Sequence, residues 1–484
     1  MNPAGTPPDE ADRMEEKRFR RRLWLIVGAA FLLRILCALP AFADPEMLLR
    51  PDSGGYFLPA EALLADGAYL DAPGAGTPAT LRPPGYSLVL ALTFLFCGKS
   101  FAAAGLFGCL LGALSCYPVG LCGRILGGRN AGLAAAALLA LNLSALANAP
   151  LILADILLGF LCAWQCFFLL KAWRTRALRF WLGGLLVSAL GALCKPVNLP
   201  LFLLAMPVLA MLFFGFRKKM LRAVVCWGGV FLLLLFPWMF RNFRLGAGFA
   251  LDSNSADLYF HNGSAILASA TGENSAVILE RLKNETQHLF DSDPARFPDT
   301  QAKNSYKKAS YLALMKRYPA ATLKTHLPQP FMLLPDLPVF LENNGLTRHG
   351  RGTLGVLRRE GLFAALDHYL GGRYALILPA LPLLFASGML YLLSAWELLL
   401  WLRHWKWRLL MLTGALVFYY LAAPGPVTMP RYQIPALPML CTMGGAAFAL
   451  LLRRAERDGF RKKKRPGKKE TSGTTEYAEG KAEH

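Results

Sequence analysis

The sequence predicts an all-α polytopic membrane protein, with about ten transmembrane helices, a short outer-leaflet helix and a mostly helical extracytoplasmic domain. Three observations predict it. Of 484 residues, 55% are apolar and the mean hydropathy is +0.37, far from a soluble domain. Apolar runs close to twenty residues long recur, and about twenty helical residues cross a hydrocarbon core. Lysine and arginine collect in the short flanks of those runs, at 17–22, 171–179, 217–222, 403–408 and 453–469, where they mark the cytoplasmic side.

The formal charge of +21 is therefore mostly topology rather than a nucleic-acid footprint, since no aromatic-interleaved platform accompanies it. All ten cysteines lie within or at the ends of apolar segments, which argues for packing rather than disulfides, and no pair has zinc-ligand spacing with histidine.

Taken in order, 1–22 is a cytoplasmic tail and 23–42 the first span. That span is too long for a signal-peptide core, and no small-residue cleavage site follows Pro40. The first outer loop, 43–100, contains an amphipathic helix over 55–67 and the segment Pro84–Cys97. Fourteen residues are too few to span, and counting that segment as a crossing would put some basic flanks outside. It is read as the outer-leaflet helix.

Spans follow at 101–122, 131–148, 152–170, 181–194, 199–216 and 221–239, completing a transmembrane module over 23–240. Trp181 and Trp238 near span ends suit the membrane interface. The polar interval 241–374 is the extracytoplasmic domain. Helical spacing appears over 275–290 and 301–317, and Pro319, Pro328, Pro330, Pro335 and Pro338 break the remainder into extended or turn structure. The last spans, 375–402, 409–423 and 434–452, leave both termini cytoplasmic, with 453–484 a basic disordered tail on anionic lipid.

The residues able to carry chemistry fall on the outer side of this topology. Asp52, within Asp52-Ser53-Gly54-Gly55-Tyr56, is either a turn residue or a general base at the membrane surface. Arg82 precedes Pro83-Pro84, and Pro84 suits the first turn of a helix. Free amides there plus a guanidinium make a phosphate site, although an arginine can also snorkel from such a position. Asp155 lies in the apolar run after Pro150, where an ionised carboxylate is costly. It positions an acceptor or shares a divalent cation with Asp52, a weaker idea because two carboxylates do not define a site. Glu61 is a lesser candidate. Lys195, Arg241 and Arg431 are each readable as interfacial anchors, and together with Arg82 as a clamp on one lipid-linked phosphate. No phosphate-binding glycine loop, metalloprotease helix or serine elbow is present.

Asp52-x-x-x-Tyr56, Ala60-x-x-Leu63, Gly67 and Arg82-Pro-Pro-Gly-Tyr86 resemble the first outer loop of bacterial C-type (GT-C) membrane glycosyltransferases. That family includes relatives of protein O-mannosyltransferases and of the lipid A aminoarabinose transferase. The resemblance continues through 150–158, Lys195-Pro196, Pro237-Trp238-x-x-Arg241-Asn242, the helix 306–319 and Arg431-Tyr-x-x-Pro435. It implies a GT-C-like fold, Asp52 as catalytic base, Arg82 beside the donor phosphate and Asp155 as a second-loop acid.

The resemblance also implies a polyprenyl-phosphate sugar donor and an envelope lipid, glycan or protein acceptor. Departures are Ser53, where many relatives have glutamate, Lys195 for arginine and Asp155 for glutamate; they leave the metal requirement and the sugar open. The expectation is thus an inverting glycosyltransferase of the inner (plasma) membrane, with its active site extracytoplasmic and Tyr56, Glu61, Arg82, Lys195, Arg241 and Arg431 contacting substrate. The rival is a transporter or lipid flippase, which would bury charges midway along its spans.

Overall fold

Apolar runs become helices because, away from water, only a helix satisfies every backbone polar group within one segment. The computed structural model describes residues 10–346, 353–372 and 374–464, and among the described residues no β-strand is formed beyond one isolated bridge, Leu70 to Pro78. Four helices among them are long and apolar enough to cross a membrane: Phe101–Gly127, Asp155–Thr175, Lys218–Arg244 and Ile377–Arg403. Shorter apolar helices are Pro84–Cys97, Leu178–Cys194, Asn198–Phe214 and Trp407–Ala422.

The first helix, Glu10–Leu36, starts inside the expected tail and is about 40 Å long at 1.5 Å per residue. It separates two polar ends. At its start Asp12, Glu15 and Glu16 pair with Arg124 and Arg129, and Arg453 donates to the Gly127 carbonyl nearby. At its far end the chain turns through Leu39–Ala43 and Pro45–Leu48 towards Asp52. The last helix, Leu437–Lys464, continues through residues 453–464 where a disordered tail was expected; 465–484 lie outside the described residues.

Small residues let helix backbones approach where lipid supplies no hydrophobic drive. A Cβ on Gly123 would lie 2.6 Å from the Ala131 carbonyl oxygen, and one on Gly445 would lie 2.4 Å from the same atom. Cys116–Gly127, Arg129–Ala140 and the last helix therefore meet almost backbone to backbone.

Prolines inside spans are absorbed rather than fatal. Pro207 and Pro237 each cost a hydrogen bond and press on the preceding turn. The turns Leu201–Ala205 and Phe231–Leu235 widen to π geometry directly before them.

Three expectations are corrected. The expected span 131–148 is two helices, Arg129–Ala140 and Leu143–Ala147, because Asn142 caps the second by accepting from the Ala145 amide at 2.9 Å. Trp181 is fully buried, donating to the Ala223 carbonyl at 3.0 Å between Phe213 and Phe214, so packing rather than the interface claims its ring. Pro319 does not end helical structure but starts the helix Pro319–His326, and Pro338 lies in the first turn of Leu337–Asn343.

In the interval 241–374, Tyr259, Ile278 and Leu282 form a small core with Tyr311 and Leu314 against it, as the helical spacing required. Phe340 and Leu341 pack on Leu143, Leu146 and Ala147, joining this interval to the membrane module.

Candidate active site

The turn that holds Asp52 is stitched from both sides. The Arg50 amide donates to Ser53 Oγ at 2.8 Å, and the Ser53 amide donates to the Arg50 carbonyl at 2.8 Å. The Arg50 guanidinium caps the Met47 and Leu49 carbonyls at 2.8 and 2.9 Å and reaches Asn343 Oδ1 at 3.2 Å and Glu342 at 3.4 Å. Asp52 therefore sits on a fixed corner before the helix Gly54–Ala65, which buries Tyr56, Pro59, Ala60 and Ala62.

Arg82 arrives from the other end of the same loop. Pro83 is extended (φ −65°, ψ 156°), and the helix Pro84–Cys97 begins at the next residue. Arg241 Nη1 donates to the Ala79 carbonyl at 2.9 Å and Nη2 to the Tyr69 carbonyl at 3.2 Å, while its guanidinium lies 4.5 Å from the Trp238 ring centre. The Ser253 amide donates to the Thr80 carbonyl at 2.9 Å. So held, Arg82 Nη2 donates to Asp52 Oδ1 at 3.0 Å, with its guanidinium 5.4 Å above the Tyr56 ring. Burial pushes the Tyr56 hydroxyl up to about 12, so it stays protonated.

Arg431, from the single turn Pro430–Gln433 before the last helix, donates through Nη2 to Asp52 Oδ2 at 2.7 Å. Burial works against its charge, and Asp155, Tyr432 and Asp52 outweigh that, so its pKa is raised. The Asp52 side chain is 40% exposed, against 21% for Arg82 and 12% for Arg431. The carboxylate thus opens outward with the cations behind it. The Nε atoms of both arginines are buried without a hydrogen-bond partner, leaving donors unspent beside this carboxylate.

A second pair adjoins the first. Lys195 Nζ donates to Asp155 Oδ1 at 2.7 Å, with Asp155 only 3% exposed at the start of the helix Asp155–Thr175, where the helix dipole favours an anion. The Tyr432 ring links the two pairs, with Lys195 Nζ 5.3 Å and the Arg431 guanidinium 5.5 Å from its centre.

Of the residues singled out from the sequence, Asp52, Tyr56, Arg82, Asp155, Lys195 and Arg431 come together. Glu61 does not join them; it pairs with Lys99 at 2.9 Å. Arg241 spends its donors on loop carbonyls and Asn242, which makes it a brace for the Arg82 segment rather than a free phosphate ligand.

Asp52 and Asp155 are poor ligands for a shared divalent cation, because both oxygens of the first and one of the second already face protein cations. Among the described residues no group of three or more His, Cys, Asp or Glu is placed to hold a metal.

Asp252 is the acidic neighbour the sequence reading missed. It is 4% exposed, accepts from the Ser255 amide and hydroxyl at 3.1 and 2.7 Å, and is pushed up to about 6 by burial, with Ser255 and Arg82 opposing. Only the polar run Asp252-Ser253-Asn254-Ser255 after an apolar stretch hinted at it.

Residues 81–240 match the family described as dolichyl-phosphate-mannose-protein mannosyltransferase, a stretch that holds Arg82, Asp155 and Lys195. No curated protein matches the chain. The structure superposes on the archaeal oligosaccharyltransferase AglB from Archaeoglobus fulgidus, bound to an inhibitory peptide and a dolichol-phosphate. The TM-score is 0.51 and the identity 14%, over 94% of this chain and 53% of that one. ArnT from Cupriavidus metallidurans, bound to undecaprenyl phosphate, superposes at a TM-score of 0.43 with 14% identity, over 91% of this chain and 62% of that one. The chain thus spans about half the length of the archaeal enzyme it resembles. The fold is that of the GT-C membrane glycosyltransferases.

Proposed function

We propose that the protein is an inverting glycosyltransferase that moves a sugar from a polyprenyl-phosphate donor to a hydroxyl acceptor on the extracytoplasmic face of the membrane. The observation that carries this reading is the Asp52 carboxylate bridged by Arg82 and Arg431 at 3.0 and 2.7 Å. Two guanidiniums around one anion, each with an unspent buried donor, suit a phosphate ester. Supporting it are the fold and the match of 81–240 to a family that acts on dolichyl-phosphate-mannose.

In this reading the donor phosphate competes with Asp52 for the arginines. Once it takes Arg82 and Arg431, the Asp52 carboxylate is free to accept a proton. The acceptor hydroxyl gives that proton to Asp52, its oxygen bonds to the anomeric carbon, and the bond to the phosphate oxygen breaks with inversion. The electron pair leaves on the lipid phosphate, which gains a negative charge that the guanidiniums stabilise, so no acid is needed for the leaving group. Lys195 and Asp155 hold Tyr432 and hence the Arg431 turn. The cation cluster of Arg124, Arg129 and Arg453 at the opposite end of the first helix supports the Asp52 end being extracytoplasmic.

Transport would need charges midway along spans. Arg34 is one such buried charge, but it serves the Ala30 carbonyl at 3.0 Å and the Leu139 carbonyl at 3.5 Å, as a packing residue would.

The test is mass spectrometry of envelope glycolipids and glycoproteins from cells with the wild-type protein, with Asp52→Asn at equal abundance, and without the protein. A sugar adduct present only with the wild type supports the reading. Identical profiles, or solute transport by the purified protein without glycosyl transfer, would overturn it.

A further inference from the structure

The segment that brings Arg431 to Asp52 also walls a second site. After the helix ends at Ala422 the chain turns at Gly425, left-handed at φ 62°, and runs through Pro426 and Thr428 into the Arg431 turn. Pro426 and Thr428 border a cavity of about 480 Å³, within the range of about 300–1,000 Å³ usual for small-molecule sites. Ser269, Thr325 and Gln329 add hydroxyls and an amide, Lys324 a cation, and Phe331 an aromatic face.

Two polar atoms here lack partners. Ser269 Oγ lines the cavity, and Asn262 Oδ1 lies beside it; both are shielded from solvent without a hydrogen bond. The Asn262 amide donates to the Tyr311 hydroxyl at 3.2 Å, which meets His326 Nε2 at 3.0 Å. A Cβ on Gly425 would stand 3.0 Å from His326 and 3.2 Å from the Asn262 amide nitrogen, so this wall is close-packed and preformed.

The cavity is also tied mechanically to the Asp52 site. Gln433 Nε2 donates to the Met332 carbonyl at 2.8 Å and the Leu334 carbonyl at 3.2 Å. The turn Pro330–Leu333, which carries Phe331, is thereby fixed to the turn that carries Arg431.

We propose that this cavity binds a saccharide unit bearing an anionic group and forms the acceptor site of the transfer reaction, an inference that rests on the transferase reading above. Hydroxyls and an amide suit the hydroxyls of a sugar ring, Phe331 and Pro426 its C–H face, and Lys324 its charge. An extended peptide would ask for a strand edge to pair with, and among the described residues there is none. The unpartnered Ser269 hydroxyl gains a partner when the cavity fills.

The experiment measures binding to the purified full chain in lipid nanodiscs by saturation-transfer NMR and calorimetry. The probes are glucuronic acid, glucose and a neutral hexapeptide. Glucuronic acid is expected to bind at least tenfold more tightly than glucose. Lys324→Ala and Gln329→Ala should each weaken it at least tenfold, Lys324→Arg should retain it, and Asp52→Asn should leave it unchanged.

Competition by vesicles carrying a glucuronosyl lipid, against vesicles of a neutral glycolipid, tells whether the unit is lipid-borne or soluble; either source supports the proposal. No glucuronate binding, binding indifferent to Lys324→Ala and Gln329→Ala, or preferential binding of the hexapeptide overturns it. Because Lys324 is exposed, its variants retain the fold, and circular dichroism checks this. Saccharide binding without any transfer by the wild type would sink the transferase reading and leave the site; transfer without such binding would sink the site alone.

Discussion

Arg431 donates to Oδ2 of Asp52 at 2.7 Å across 379 residues of chain, while Arg82 occupies Oδ1 from within the same loop as Asp52. A carboxylate so held is a structural clasp until an anion draws the arginines away. Its catalytic availability is then coupled to donor binding, which orders the reaction with the donor first.

Replacing Asp52 by Asn removes the proton acceptor while keeping the side-chain shape. Transfer is expected to fall by about 10² to 10⁴, the usual contribution of general base catalysis. Donor affinity should hold or improve, because the phosphate no longer competes with a carboxylate for Arg82 and Arg431. Single-turnover kinetics with a radiolabelled lipid-phosphate sugar measures both, and near-normal turnover would remove Asp52 as the base.

Arg431→Ala takes away a charge-assisted hydrogen bond, worth about 1.5–3 kcal/mol, or roughly a tenfold to hundredfold change in affinity. The donor KM is expected to rise by that factor, and Arg431→Lys should recover only part because an ammonium cannot reproduce the planar fork. An unchanged KM in both variants would place the phosphate elsewhere.

Lys195 and Asp155 form a buried pair, so the cost of breaking it comes from the ion left behind. Lys195→Met or Asp155→Asn alone should lower stability by about 3 kcal/mol, and the double variant should lose less than the sum. Thermal unfolding in detergent of the two singles and the double checks this; strict additivity would mean the pair is not coupled.

At Gly85, a Cβ would lie 2.7 Å from the Leu193 carbonyl oxygen and 3.0 Å from the Cys194 amide nitrogen. Gly85→Ala must push the helix Pro84–Cys97 off the end of Leu178–Cys194, displacing Arg82 and Lys195 together. An overpacking cost of about 1–3 kcal/mol is expected, with loss of transfer larger than stability alone explains. Full activity at a normal melting temperature would contradict the packing described.

Asp252 titrates inside the working range. Its folded-state pKa, about 6, lies above the ordinary 3.8, so the folded chain holds this proton more tightly than the unfolded one. The corresponding stability is present below about pH 4 and lost as pH rises through about 6; the gap is worth on the order of 3 kcal/mol at 1.36 kcal/mol per pH unit. Asp252→Asn should therefore flatten the fall in melting temperature between pH 4 and 7 that the wild type shows. Parallel profiles would show that Asp252 is not the titrating group.

The sequence by itself determined the helices and their order. Pro84–Cys97 was legible because proline starts the helix and its fourteen residues are too short to span, and Thr300–Arg317 because apolar spacing is a local property. Residue type and a preceding motif also singled out Asp52, Arg82, Asp155, Lys195 and Arg431.

Only the tertiary structure decided which charges meet. Arg241 and Arg431 look alike in sequence, each following a proline at an apolar edge, yet one braces loop carbonyls and the other grips Asp52. Glu61 and Asp155 are both carboxylates in apolar surroundings, yet one faces the exposed Lys99 and the other a lysine at the site. Asp252 became an acidic neighbour only when the Ser253 amide found the Thr80 carbonyl, a contact between segments some 170 residues apart. Periodicity reports on which face of one helix is apolar. Ion pairing depends on where other elements pack, and no local pattern encodes that.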